Sequence, residues 1–228
     1  MNIKFFQVGG CVRDTFIGVP SKDIDFAVEA PSFDAMREAI IAKGGKIFLE
    51  TPKFLTIRAM VPKLGSADYV LCRKDGDYTD GRRPDSVTIG TILDDLARRD
   101  FTMNAIALDV ENETVPIDPF DGLRDIADKI IRCVGDAKQR FAEDKLRVFR
   151  SVRFSVTKGF TIHSYTANCM SEVNDFSGVS TERIREELVK MFKVDSFKSF
   201  RILDNEFPNL GRVVQERGLW FKPTSESV

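Results

Sequence analysis

The first half of the chain alternates short apolar runs with turn residues, which is the pattern of β-strands. Residues 32–45 instead have the apolar spacing of a helix, with Ser32 as its N-cap and Gly44 and Gly45 at its end. A mixed sheet with helices is therefore expected in this half. The predicted strands are residues 3–8, 23–28, 46–50, 54–61 and 67–73.

The spacing of apolar residues changes to a helical period after about residue 135. Residues 136–159 predict a helix that ends at Gly159, and residues 180–194 predict another that begins with a capping signal at Ser180 or Thr181. We therefore expect an α+β fold with two domains: a mixed sheet with helices in residues 1–135, followed by an all-α domain in residues 136–228.

One segment between the predicted elements has no apolar face. Residues 74–85 combine turn residues with charges, and this composition predicts a mobile loop. Residues 91–110 then begin with a helical pattern and end in an apolar, strand-like run.

Composition excludes several classes of protein. The 228 residues are 43% hydrophobic and 30% charged, and no apolar run approaches a membrane span. The first ten residues lack the pattern of a secretory signal, so a cytoplasmic protein without a membrane partner is expected. The four cysteines lie far apart and His163 is the only histidine, which argues against a zinc site and favours reduced thiols. The net charge is −1, so any site for a polyanion must be a local cluster of Arg and Lys.

Two acidic residues are the first candidates for catalysis. Asp23 and Asp25 alternate in a strand-like run, so both carboxylates should lie on one face while Ile24 and Phe26 pack inward. Two adjacent carboxylates favour Mg²⁺ between them, and such a site supports in-line phosphoryl transfer. Alone, the pattern is more typical of exposed acids at a strand end. Asp68 is the candidate third carboxylate, although it could equally cap a turn.

Two glycines precede these acids. Gly9 and Gly10 follow the first predicted strand, where a turn without side chains lets the backbone approach a phosphate. Arg13 can hold phosphate oxygens in a planar fork. The alternative is an ordinary tight turn in which Arg13 pairs with Asp14.

Together these residues resemble a known signature. The stretch GGCVRDTFIGVPSKDIDFAV (9–28) is similar to the G-G-x-V-R-D and D-x-D motif of the class II tRNA nucleotidyltransferase and bacterial poly(A) polymerase family, within the DNA polymerase β superfamily. The resemblance implies a polymerase-β-like nucleotidyltransferase head in residues 1–135, an all-α neck after it, and Mg²⁺ held by Asp23 and Asp25.

Residues 94–109 resemble the second motif of that family, R-R-D-F-T-x-N-A. Arg98, Arg99, Asp100 and Asn104 supply fork donors, an acceptor and an amide, which suit a ribose and a triphosphate. An exposed face of ion pairs is the alternative.

Residues 140–160 resemble the E-D-x-x-R motif of the family. On a helix, Asp144 and Arg147 would be i, i+3 neighbours able to address one base. The arginine donates to cytosine or adenine, and the carboxylate accepts from the amine that G and U lack. By resemblance Glu143 positions this pair, while Arg150 and Arg153 help to hold the nucleotide. The alternative is an amphipathic helix with internal salt bridges. The last motif, TERIREEL (181–188), is interpreted as structural.

The expected function is transfer of CMP and AMP from CTP and ATP to the 3′ end of tRNA, with segment 74–85 assisting the switch from C to A. A poly(A) polymerase, an enzyme that adds only CC or A, and a nucleotidyltransferase with another acceptor share these motifs. A non-catalytic RNA-binding module is disfavoured by the intact acids. Bacterial members of the family usually carry further helical domains that contact tRNA, and most of these are missing here. The sequence leaves the oligomeric state open.

Overall fold

A computed structural model describes residues 3–21, 23–78 and 84–219. These residues form two compact units, the first from residues 3–21, 23–77 and 84–135 and the second from residues 78 and 136–219. Within the described ranges, no helix has the length and apolar character needed to cross a membrane. Part of segment 74–85, at residues 79–83, lies outside the described residues.

The first unit is built on a seven-stranded sheet in the order β3-β4-β5-β2-β1-β8-β9. Strands β2 and β5 pair in parallel, whereas β1 pairs antiparallel with both β2 and β8. The strands of this unit are β1 (Lys4–Val8), β2 (Asp25–Glu29), β3 (Lys46–Thr51), β4 (Thr56–Val61), β5 (Gly65–Leu71), β6 (Arg73–Asp75), β7 (Val87–Ile89), β8 (Ala107–Asp109), β9 (Asn112–Ile117) and β10 (Ile130–Ile131). Its helices are α1 (Gly10–Ile17), α2 (Phe33–Ala42), α3 (Ile92–Ala97) and α4 (Gly122–Ala127).

Apolar side chains fill both faces of this sheet. On one face Phe26 and Val28 of β2 join a core cluster that includes Met36 and Ile40 of α2. On the other face Ala27 joins a cluster with residues of β1, β8 and α3. Because the central strand β2 is covered on both sides, its end is fixed in position, and the acids lie at that end.

The structure confirms most of the predicted strands and corrects two details. Strand β2 begins at Asp25, so the prediction that Asp23 lies in the strand is wrong. Asp23 lies before the strand, where its carbonyl accepts from the Ser21 hydroxyl at 2.9 Å.

The loop prediction for residues 74–85 is also wrong at its start. Residues Arg73–Asp75 form β6, which pairs antiparallel with β7. An ion pair of 2.9 Å joins Arg73 to the buried Asp75 carboxylate. Because β6 has only three residues and is held by its pairing with β7 and not by an apolar face, its pattern of residues gave no strand signal.

The second unit contains six helices within the described residues. They are α5 (Ala137–Glu143), α6 (Leu146–Lys158), α7 (Ser164–Glu172), α8 (Thr181–Phe192), α9 (Ser196–Arg201) and α10 (Pro208–Glu216), with a short strand β11 (Thr161–Ile162) and a π-helical turn Ile202–Glu206. Helix α6 ends before Gly159, which has φ of +69°, and α8 has Ser180 as its N-cap, so both predicted boundaries are confirmed.

The predicted helix over residues 136–159 is interrupted. Asp144 has extended backbone between α5 and α6, so it does not lie on a helix with Arg147 as predicted. Its carboxylate accepts from the backbone N–H of Leu146 at 3.1 Å. An aspartate that bonds the backbone two residues ahead favours a turn over a continuous helix, which explains the interruption.

Candidate active site

The glycine turn connects β1 to α1 in the first unit. Gly9 has φ of +77°, a conformation that glycine adopts without the steric penalty of other residues. A Cβ on Gly9 would lie 3.0 Å from Nη1 of Arg99, and a Cβ on Gly10 would lie 3.6 Å from Nη2 of Arg13. The turn therefore presents bare backbone beside two guanidinium groups.

Arg13 is buried and already engaged. Its Nε donates to Oδ1 of Asp14 at 2.9 Å, as in the ordinary-turn alternative, and its Nη1 donates to Oδ1 of Asn104 at 2.6 Å. Asn104 in turn donates to Oδ1 of Asp100 at 3.0 Å. Arg13 thus links the glycine turn to the second motif, and the two motifs form one connected set of polar groups.

Arg99 is oriented by a residue that sequence reasoning missed. Nη2 of Arg99 donates to Oδ2 of Asp95 at 2.8 Å, and Nη1 donates to the Asn104 carbonyl at 3.3 Å. Asp95 is only 1% exposed and also pairs with Arg98. Burial alone raises the pKa of Asp95, but Arg99 and Arg98 outweigh it and hold that pKa below its usual value. The sequence signal for Asp95 is its place one turn before two adjacent arginines.

The acidic residues meet where β2 begins. Asp25 is the register partner of Val8 on β1 and of Asp68 on β5, so it lies beside the end of the strand that leads into the glycine turn. The pKa of Asp25 is raised, first by burial and then by the charge of Asp68, with a further contribution from Asp23. These three carboxylates therefore lie within electrostatic range of one another.

The donor set of Asp23, Asp25 and Asp68 fits a hard divalent cation, because it consists of carboxylate oxygens whose mutual repulsion a cation relieves. In the part of the chain that the structure describes, no three metal-ligating side chains converge tightly enough to hold an ion. Asp68 is instead held by Arg58, a residue that sequence reasoning missed. Nε and Nη2 of Arg58 donate to the two Asp68 oxygens at 2.7 Å each.

The second unit carries the third motif, with its charged residues in two ion-pair groups. The Asp144 carboxylate accepts from both terminal nitrogens of Arg183, at 2.7 and 3.3 Å. Arg147 donates to Oε2 of the buried Glu143 at 2.7 Å, and Arg140 pairs with the other Glu143 oxygen at 2.5 Å. Arg183 lies on α8, in the motif that was interpreted as structural, and is therefore a candidate that sequence reasoning missed.

The two remaining arginines of this motif lie along α6. Arg153 pairs with the buried Glu187 of α8, and its guanidinium carbon lies 3.8 Å from the ring centroid of Phe154. The Arg150 guanidinium carbon lies 5.6 Å from the same centroid. The internal salt bridges of the alternative interpretation are thus present, and any ligand must compete with them or use the remaining donors.

Comparison with known proteins gives a consistent result. A family model described as the poly A polymerase head domain matches residues 5–132. The CCA-adding enzyme of Leuconostoc citreum is 40% identical over 191 residues, a match that covers 82% of this chain and 45% of that enzyme.

Solved structures agree in fold. The Bacillus stearothermophilus CCA-adding enzyme in complex with CTP superposes with a TM-score of 0.76 at 30% identity, covering 96% of this chain and 53% of that one. The Thermotoga maritima CCA-adding enzyme complexed with tRNA gives a TM-score of 0.75 at 26% identity, covering 97% and 50%. The chain spans about half the length of the relatives it matches.

Proposed function

This chain belongs to the tRNA nucleotidyltransferase and poly(A) polymerase family, and on that premise we propose that it transfers CMP and AMP from CTP and ATP to the 3′ end of tRNA. One observation carries the proposal: the register Val8–Asp25–Asp68 puts the glycine turn and two carboxylates at the same end of the sheet. A triphosphate on the turn would then have its reacting phosphate near the acids.

In the reaction, the 3′-hydroxyl oxygen of the RNA forms a bond to the α-phosphorus as the bond from that phosphorus to the bridging oxygen breaks. Pyrophosphate leaves and the hydroxyl proton passes to solvent. The divalent ion, which we take to be Mg²⁺, would activate the hydroxyl and stabilise the charge on the phosphates. Asp23 and Asp25 would hold it, with Asp68 as the third carboxylate.

The polar groups around the glycine turn would bind the nucleotide. The backbone of Gly9 and Gly10 would contact phosphate oxygens, and Arg99 would supply a charged donor beside them. Arg13, Asp100 and Asn104 form a hydrogen-bonded set next to the turn. A ribose hydroxyl could replace one of these side chains as a hydrogen-bond partner.

The charged groups of the second unit would choose the base. Asp144 would accept from the exocyclic amine of cytosine or adenine, and Arg147 would donate to the ring. Glu143 and Arg183 orient this pair through the ion pairs described above. Arg150 and Arg153 would help to hold the nucleotide from α6.

The test offers the purified chain three tRNA transcripts that end at the discriminator base, at C and at CC. Each is incubated with Mg²⁺ and each single nucleotide, and the products are resolved to one nucleotide. Addition of C, C and then A, absent in Asp25→Asn, is expected. Long A tails would assign the chain to the polyadenylating branch, partial extension would make it a CC- or A-adding enzyme, and no extension would overturn the tRNA assignment.

A further inference from the structure

A row of side chains crosses the sheet from its edge to the acids. The strand registers pair Leu49 with Arg58, Arg58 with Asp68, and Asp68 with Asp25. Register partners project from the same face of a sheet, and neighbouring strands are about 4.8 Å apart. Arg58 therefore lies two strands from Asp25, at roughly 10 Å, on the face that carries the proposed catalytic carboxylates.

The Arg58–Asp68 pair lies open to solvent. The Arg58 side chain is 58% exposed and the Asp68 side chain 30% exposed, while both oxygens of Asp68 accept from Arg58. In this arrangement the Asp68 charge is balanced by the Arg58 guanidinium. The pair is bidentate, so an incoming anion that offers two oxygens to the same guanidinium can replace the carboxylate without loss of hydrogen bonds.

The position of Arg58 indicates which anion would reach it. The glycine turn lies beyond Val8, on the opposite side of Asp25 from Arg58. In an in-line displacement, the attacking hydroxyl and the leaving pyrophosphate lie on opposite sides of the reacting phosphorus. With the triphosphate at the turn, an acceptor strand that approaches from the opposite side would cross β5 and β4, where one of its phosphodiesters would meet Arg58.

We infer that Arg58 is a positioning residue for the acceptor RNA. When the RNA binds, Arg58 exchanges the Asp68 carboxylate for a phosphodiester of the RNA. Asp68 is then free to complete the metal site. The inference rests on the proposed nucleotidyl transfer. A guanidinium fork fits phosphate oxygens as well as carboxylate oxygens, so the exchange preserves two hydrogen bonds to Arg58. Both oxygens of Asp68 are then released from Arg58, directly beside Asp25.

The test measures Mn²⁺ binding from the free-ion electron paramagnetic resonance signal, without nucleotide. Each protein is titrated with and without an RNA minihelix ending in CC, and the Mn²⁺ bound by RNA alone is subtracted. In the wild type, the RNA is expected to tighten Mn²⁺ binding about tenfold, within the usual range of coupling between sites. Arg58→Ala should bind Mn²⁺ tightly without RNA and gain nothing from it.

Three further variants separate the exchange from a general structural effect. Arg58→Lys keeps the charge but not the fork, so its coupling should be intermediate, and Asp68→Asn should bind Mn²⁺ weakly in both conditions. Arg37→Ala removes another exposed arginine from an ion pair with the sheet, Arg37–Glu50 at 2.8 Å, and should behave as wild type. Coupling that survives in Arg58→Ala, or a wild type without coupling, would overturn the inference.

Failure of this inference is distinguishable from failure of the proposed function. Nucleotide addition in the transcript assay together with RNA-independent Mn²⁺ binding would reject only the exchange at Arg58. No nucleotide addition to any RNA, together with RNA-independent Mn²⁺ binding, would reject both.

Discussion

At the scale of single residues, Asp25 combines an electrostatic cost with a proposed catalytic role. Its raised pKa, caused first by burial and then by Asp68, means that folding disfavours the ionised form. That cost is absent below the pKa of the unfolded chain, about 4, and grows as pH rises through the folded pKa. Asp25→Asn removes it, so the variant should be at least as stable as wild type at pH 7, with a difference that shrinks toward pH 4.

The same substitution should lower the rate of nucleotide addition by about 100-fold or more, because an electrostatic contact to the reacting groups is lost. Urea unfolding between pH 4 and 8 and single-turnover addition measure the two effects. Glu38→Gln, which changes an exposed acid on α2, is the matched control. A variant that is less stable and fully active would contradict the assignment.

Arg183 supplies the second prediction at this scale. Its two hydrogen bonds hold the Asp144 carboxylate, so Arg183→Ala should loosen the group that we propose distinguishes C and A from G and U. Discrimination of CTP and ATP against GTP and UTP, measured as a ratio of kcat/KM, should fall about tenfold. Arg185→Ala, an exposed arginine on the same helix, should retain it. Equal losses in both variants would indicate a general effect of charge on α8.

At the scale of elements, substitutions at the two glycines of the turn before α1 distinguish the cost of backbone strain from the cost of a side-chain contact. Gly9→Ala places a Cβ at a φ of +77° and 3.0 Å from Arg99, so it should cost about 1–3 kcal/mol of unfolding free energy. Gly10→Ala adds a methyl group at an ordinary 3.6 Å contact on the first residue of a helix and should be near neutral. Denaturant unfolding compares them, and similar stabilities would contradict this description of the turn.

Local signals predicted the elements whose boundaries depend on neighbouring residues. The N-caps Ser32 and Ser180, and the end of α6 at Gly159, follow from capping and turn chemistry within a few residues. Strand β6 depends on its pairing with β7, and Asp144, besides its local bond to Leu146, is held by Arg183, 39 residues away. No local pattern contains such partners.

The candidate site likewise combines residues that the sequence indicates with contacts that only the folded chain brings together. The acids and glycines were recognisable as candidates because they are close in sequence, but the contact of Asp68 with Arg58 follows from strand registers. Asp95 was missed because the sequence does not distinguish a buried carboxylate that pairs with two arginines from an exposed ion pair.

At the scale of the whole molecule, the balance of charge limits how the chain can bind RNA. It has 34 basic and 35 acidic residues, and Arg99, Arg147 and Arg183 of the proposed site are paired with carboxylates. Few phosphates can then be neutralised, so the affinity for a tRNA transcript should fall by less than about tenfold between roughly 50 and 200 mM salt. Filter binding over that range measures it. A loss of about 1,000-fold would indicate an extensive basic surface and would contradict the prediction that few phosphates are neutralised.

The central claim is that the glycine turn and the acids form one site for nucleotidyl transfer. Diffraction from crystals of the chain with CTP and Mn²⁺, without acceptor, tests it directly because anomalous scattering locates the ion. We expect the ion at coordination distance, roughly 2.0–2.2 Å, from carboxylate oxygens of Asp23 and Asp25, with the triphosphate against Gly9 and Gly10. An ion away from these carboxylates, or a triphosphate bound elsewhere on the chain, would contradict the claim.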